Sequence, residues 1–100
     1  MSPTISATEG VALVALCGEL DIAERPAVAA VLREALDAGA QDLLVDLSEL
    51  TYLDCAGLST LVRAALDAHA MGARLYVFRA QGQPQALLDW AGRQCVGVAW

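Results

Sequence analysis

Apolar and polar positions alternate with two different periods along this chain, and the changes of period mark its elements. Thr4–Thr8 alternates weakly with period two and ends at Glu9-Gly10, which predicts a hairpin turn into a second strand. Val11–Cys17, VALVALC, is apolar almost throughout, as a strand covered on both faces is, and Gly18-Glu19-Leu20-Asp21 closes it. The period then lengthens. Pro26 suits a first helical turn, Val28, Val31, Leu32, Ala35 and Leu36 recur at helical spacing, and Gly39 fits the residue that stops a helix. Leu43–Leu47 reads as a short apolar strand. From Cys55 to about Met71 the pattern is helical again, with Leu58, Leu61, Val62, Ala65, Leu66 and His69 predicted to form one core-facing stripe, and Gly72 ends it. Arg74–Phe78 reads as a strand. Gln83-Pro84 opens a short helix carrying Leu87, Leu88 and Trp90 and stopped by Gly92, and Cys95–Val98 makes a last strand.

The resulting order is β-β-α-β-α-β-α-β. Strands that alternate with helices imply the α/β class and a mixed, mostly parallel sheet, here of about five strands flanked by three helices, with the first hairpin as an antiparallel edge. One hundred residues make a single domain, 1–100, large enough to bury roughly two thirds of its unfolded surface. No internal repeat or linker interrupts it.

Composition narrows the function. The chain is 57% hydrophobic, much of it alanine, which favours helix and permits self-association as a homodimer. The longest apolar run is too short to span a bilayer, and the first ten residues lack the basic region and apolar core of a signal peptide, so a soluble cytoplasmic protein without membrane insertion is expected. The net charge is −6, and the six basic residues, all arginine, are scattered without a run or stripe. That balance argues against nucleic acid or an anionic membrane as partner. Three cysteines, 17, 55 and 95, are an odd count with no C-x-x-C pair, which reads as reduced thiols. With one histidine and no cysteine–histidine cluster, no metal site or cofactor is expected.

The chemistry concentrates at one corner, LTYLDCAGLSTLV, where a strand hands over to a helix. Asp54 is suited to cap that helix by accepting from the amides of Ala56 and Gly57. Cys55 lies in the first turn, near the positive end of the helix dipole, and Gly57 lets another backbone or a partner atom approach. Cys55, Ser59 and Arg63 recur at i, i+4 and i+8, flanked by Ala56, Thr60 and Asp67, and make an approachable stripe away from the core. If the second and third strands are neighbours, Glu19–Asp21 sits beside it. A tyrosine-phosphatase-type loop requires C-x5-R, and Leu61 occupies the arginine position. The simplest role for Cys55 is a small residue filling the corner; a contact residue or a redox-sensing thiol are the alternatives. His69 reads as a boundary residue, Cys17 and Cys95 as buried and inert, and Trp90 and Trp100 as packing.

Three stretches carry a family likeness: Gly18-Glu19-Leu20-Asp21, then Asp46-Leu47-Ser48 through Asp54-Cys55-Ala56-Gly57-Leu58, then Leu87-Leu88-Asp89-Trp90-Ala91-Gly92. Together, and in this order, they resemble the STAS domain family, best known as bacterial anti-sigma factor antagonists. The resemblance implies a mixed sheet flanked by helices and a binding module without catalysis of its own. It implies a protein partner, an anti-sigma factor of the GHKL serine-kinase type, whose capture frees a sigma factor. Taken with the stripe above, the expected partner-binding residues are Asp21, Asp54, Cys55, Ala56, Gly57, Ser59 and Arg63. In the family the residue after the motif aspartate is a serine or threonine that the kinase phosphorylates, and the added charge of about −1.5 to −2 ends binding. Here Cys55 holds that phosphoacceptor-equivalent position and Ala56 follows, so neither supplies a hydroxyl. Three readings follow: an antagonist no longer switched at this place, one switched at Ser59 or Thr60, or an unphosphorylated accessory subunit of an ABC-type lipid transporter or stress-signalling complex. Many family members carry a further helix after the last strand, so one edge of the core is expected to be open or covered by a partner.

Overall fold

The computed structural model describes residues 4–21 and 23–94. It contains β1 (Thr4–Thr8), β2 (Val11–Leu20), α1 (Arg25–Asp37), β3 (Asp42–Leu53), α2 (Cys55–Ala70), β4 (Arg74–Phe78) and α3 (Gly82–Gln94). The four strands form one sheet in the order β1-β2-β3-β4. The β1–β2 pair is antiparallel, while β2–β3 and β3–β4 are parallel. The fold is therefore α/β with three helices and a largely parallel sheet, as the alternation of periods implies. The predicted final strand, Cys95–Val98, lies outside the described residues, as do Cys95 and Trp100.

The crossovers β2-α1-β3 and β3-α2-β4 advance in the same direction across the sheet, and the right-handedness general to parallel crossovers puts α1 and α2 on the same face, where they pack side by side. That face carries the rows Ala12–Leu43–Leu75 and Val14–Val45–Val77, each set by in-register pairing of neighbouring strands. Val28, Leu32, Ala35 and Leu36 of α1 and Leu58, Leu61, Ala64 and Ala68 of α2 close over them. Each leucine fully buried there stabilises the fold by about 1.5–3 kcal/mol. The turns follow local rules. Glu9-Gly10 has both residues at positive φ, and Gly39 and Gly72 take positive φ just past the ends of α1 and α2.

Several elements depart from the sequence expectation. β2 continues past Cys17 to Leu20, and β3 past Leu47 to Leu53. The extension is possible because the pairing shifts register between Ala15 and Cys17 and again between Gly18 and Glu19, with Gly18 at a φ of +85°. A bulge of this kind bends the strands and hides the extension from a period-two count. Burial along Val11–Cys17 alternates, so one face of the strand is partly open rather than both covered, and Cys17 is half-buried. Leu13, Leu44 and Tyr76 form a row on that other face. In α2 the buried face is Gly57, Leu58, Thr60, Leu61, Ala64 and Ala68, whereas Leu66 is 54% exposed and His69 lies outside. Close approach of α2 to α1 and the sheet selects small residues, and a stripe drawn through the largest apolar side chains is rotated from the one that packs. Helix α3 runs through Gly92 to Gln94, and Trp90 is 51% exposed rather than packed inside, while Pro84, Leu88 and Ala91 are buried.

Candidate functional site

The site is the corner where β3 ends and α2 begins. Asp54 is the N-cap of α2, in extended backbone, and its Oδ1 accepts from the Gly57 amide at 2.7 Å. Its carbonyl accepts from Leu58 N at 2.9 Å, and its own amide donates to the Leu20 carbonyl at 3.3 Å. The last bond ties the corner to the end of β2 and sets Leu20-Asp21 beside the helix start, the adjacency expected if β2 and β3 are neighbours. Gly57 is where the two segments touch. A Cβ at Gly57 would lie 2.7 Å from Leu20 Cγ, 2.7 Å from Leu20 O and 2.9 Å from Leu53 Cδ1. The backbone that Gly57 admits is thus the chain's own, and this residue is buried rather than offered to a partner.

The remaining residues of the predicted surface separate into two groups. Cys55, Ser59 and Arg63 are exposed and Ala56 half-buried, so the i, i+4, i+8 stripe lies on the outside of α2. The Arg63 side chain is 80% exposed, with Nε 3.4 Å from Asp67 Oδ1. Thr60 is turned inward and 6% exposed, and its hydroxyl donates to the Ala56 carbonyl at 3.1 Å. That geometry takes Thr60 out of the exposed stripe and away from any modifying enzyme. Asp21 is half-buried, and its Oδ1 accepts from Ala23 N at 3.0 Å and Glu24 N at 3.3 Å while its carbonyl accepts from Glu24 N and Arg25 N. It builds the turn that launches α1. Asp54 caps through Gly57 and not through Ala56.

A family model described as "Mlab, STAS domain" matches residues 4–94. The chain belongs to the STAS domain family. Solved structures agree on the fold. An anti-sigma factor antagonist from Mycobacterium paratuberculosis superposes with a TM-score of 0.82 at 19% identity, over 93% of this chain and 79% of that one. The anti-sigma factor antagonist SpoIIAA in its unphosphorylated form gives 0.74 at 14% identity, over 89% and 83%. The Bacillus cell fate determinant SpoIIAA in its phosphorylated form gives 0.75 at 15% identity, over 91% and 84%. No curated protein matches the chain. Among the described residues no group of three histidine, cysteine or acidic side chains could hold a metal ion, and no helix is long and apolar enough to cross a membrane.

Three features of this STAS domain escaped the sequence reading. The first is Asp46, which is buried; Arg79 Nε donates to its Oδ1 at 3.3 Å, Arg79 Nη2 contacts Oδ2, and Ser48 N donates to Oδ1 at 2.9 Å. Burial alone would raise the Asp46 pKa, yet the hydrogen bonds from Arg79 and Ser48 outweigh it and hold the carboxyl below its ordinary value. The second is Gln83, whose side chain donates to Leu53 O at 2.7 Å and accepts from Leu53 N at 2.9 Å. An amide side chain here replaces the strand that β4 no longer supplies beyond Phe78, and it anchors the residue just before Asp54. The third is an arginine cluster. Three of the six arginines, Arg25, Arg33 and Arg63, line one groove of about 570 Å³ between α1 and α2. Scattered in sequence, they converge because α1 and α2 lie side by side. Arg25 and Arg33 stand eight residues apart on one helix, a spacing that places them on the same face.

Proposed function

We propose that this STAS domain is a regulatory binding protein of the anti-sigma factor antagonist type, without catalysis of its own. It docks an anti-sigma factor of the GHKL serine-kinase type and thereby frees a sigma factor. The observation that carries the reading is the outer side of the first turns of α2: a capped helix start with Cys55 exposed, Ala56 half-buried, and Ser59 and Arg63 beyond them. Small side chains at a rigid helix start offer a flat surface whose ordering cost has already been met by folding. Asp54 and Asp21 keep carboxylates at its edge while their other contacts fix the backbone.

The contact is constitutive at the usual switch position. Cys55 offers a thiol and Ala56 a methyl, and a serine kinase needs a hydroxyl. Ser59 remains the exposed hydroxyl on the same stripe. The test is a binding titration with the cognate anti-sigma factor. Ser59→Glu, an exposed change that leaves the fold intact, abolishes binding; unchanged affinity rejects this surface.

The Cys55–Ala56 pair also favours a second reading, an unphosphorylated accessory subunit of an ABC-type lipid transporter or stress-signalling complex, for which no hydroxyl is required. Co-purification with permease and ATPase subunits, in place of a kinase and sigma factor, selects it.

A further inference from the structure

The groove between α1 and α2 begins where the proposed docking stripe ends, and it shares Ser59 and Arg63 with that stripe. Its floor is apolar and close-packed: Leu32 and Leu36 are buried, and Ala64 is 8% exposed. Ala29, one turn before Leu32 on α1, is small and exposed, and this keeps the groove wide. The rim is cationic in a chain of net charge −6. Arg25 and Arg33 line it from α1 and Arg63 from α2, with Asp67 as the one carboxylate in the lining. Asp67 is divided between two of them, at 3.4 Å from Arg63 and 3.9 Å from Arg33. Arg33 also reaches Asp37 at 3.2 Å, while Arg25 has no ion pair among the described residues. Such exposed pairs are weak and exchange readily for the carboxylates of a guest. Both helices follow parallel crossovers, so their positive ends lie at the same end of the groove as Arg25 and add to its field.

We propose that this groove receives an acidic amphipathic helix of the protein partner, its apolar ridge on Leu32 and Leu36 and its carboxylates on Arg25, Arg33 and Arg63. The proposal deepens the docking reading above and rests on it for the identity of the partner. An apolar floor between two helices with a charged rim is the shape that takes a helix in a groove. From Arg25 to Leu36 the groove follows α1 for about 17 Å, three turns of a guest helix.

The probe is a fluorescein-labelled synthetic helix of about 18 residues, long enough to be helical in water, with leucine at i, i+3 and i+7 and glutamate on the flanks. Its control carries lysine for glutamate. Fluorescence anisotropy is expected to show binding of the glutamate peptide only, weakened by added salt. Arg25→Glu, at the exposed first turn of α1, and Ala29→Trp, which fills the groove from an exposed position, each weaken it by about tenfold or more. Amide resonances of Ala29, Arg33 and Ala64 shift on titration. Equal binding of the two peptides, or affinity unchanged by both substitutions, overturns the proposal. So does sedimentation of the protein with phosphatidylglycerol vesicles in the absence of any peptide binding, which assigns the rim to lipid headgroups. Because the probe is synthetic, a Ser59→Glu protein that still binds its cognate anti-sigma factor removes the corner reading without touching the groove result, and the reverse also holds.

Discussion

Replacement of Gly57 by alanine tests how closely the helix start is built onto β2. The backbone at Gly57 is ordinary right-handed helix, so alanine carries no conformational penalty and on propensity alone would stabilise α2 by about 1 kcal/mol. The added methyl, however, would sit 2.7 Å from Leu20 O and Cγ and 2.9 Å from Leu53 Cδ1. The side-chain atoms can turn aside in part. The Leu20 carbonyl cannot, because it is backbone in β2 and accepts the Asp54 amide. To relieve the overlap α2 must retreat by several tenths of an ångström, and this stretches a bond that is already 3.3 Å long and tilts the cap. Overpacking costs typically about 1–3 kcal/mol, and a clash at 2.7 Å with a backbone oxygen puts this site in the upper half of that range, above the propensity gain. We expect a net loss of about 1–2 kcal/mol, seen as a fall in Tm of about 4–8 °C per kcal/mol for a domain of this size. Thermal unfolding followed by circular dichroism measures it. A Tm equal to or above that of the wild type would mean that the corner yields to a methyl group without loss and that Leu20 O does not hold α2 in place.

Four further outcomes follow from the same geometry. Asp54→Ala removes the acceptor for Gly57 N and is expected to lower stability by about 1 kcal/mol in urea unfolding, with the loss localised to α2 in hydrogen exchange. Gln83→Ala leaves Leu53 N and O without their partners and should cost about 1–3 kcal/mol, with faster exchange of the Leu53 amide as the specific sign. Asp46 has a folded pKa below its unfolded value, so its stabilising contribution is present above the unfolded pKa and is lost as pH falls through the folded one. Acid titration of the wild type should therefore show a loss of stability below the ordinary carboxylate range, and Asp46→Asn should be less stable at neutral pH and flatter in acid. Incubation with a cognate serine kinase and ATP is expected to leave the wild type unmodified by mass spectrometry and to phosphorylate Cys55→Ser; phosphate on wild-type Ser59 would overturn the first half.

Local pattern was enough to read the order of the elements from β1 to α3, because strand and helix impose different periods and because Glu9-Gly10, Gly39 and Gly72 mark turns by their own conformational preferences. It also marked Asp54 as a cap and Cys55, Ser59 and Arg63 as an outward stripe, since those roles depend on neighbours within one turn of helix. What it missed depends on other segments. The bulged ends of β2 and β3 exist only as a pair, and the inward turn of Thr60 and the outward turn of Leu66 depend on α1 lying alongside α2. Gly57 shows the boundary most clearly. A glycine in the first turn of a helix announces that something comes close, but the sequence is silent on whether that neighbour is a guest or the chain itself. Packing of β2 against the corner decided it, placing Leu20 there. The same is true of charge. The arginine spacing on α1 was present in the linear chain, whereas the meeting of Arg25 and Arg33 with Arg63 required two crossovers of the same hand, a property of the whole sheet and of no single stretch.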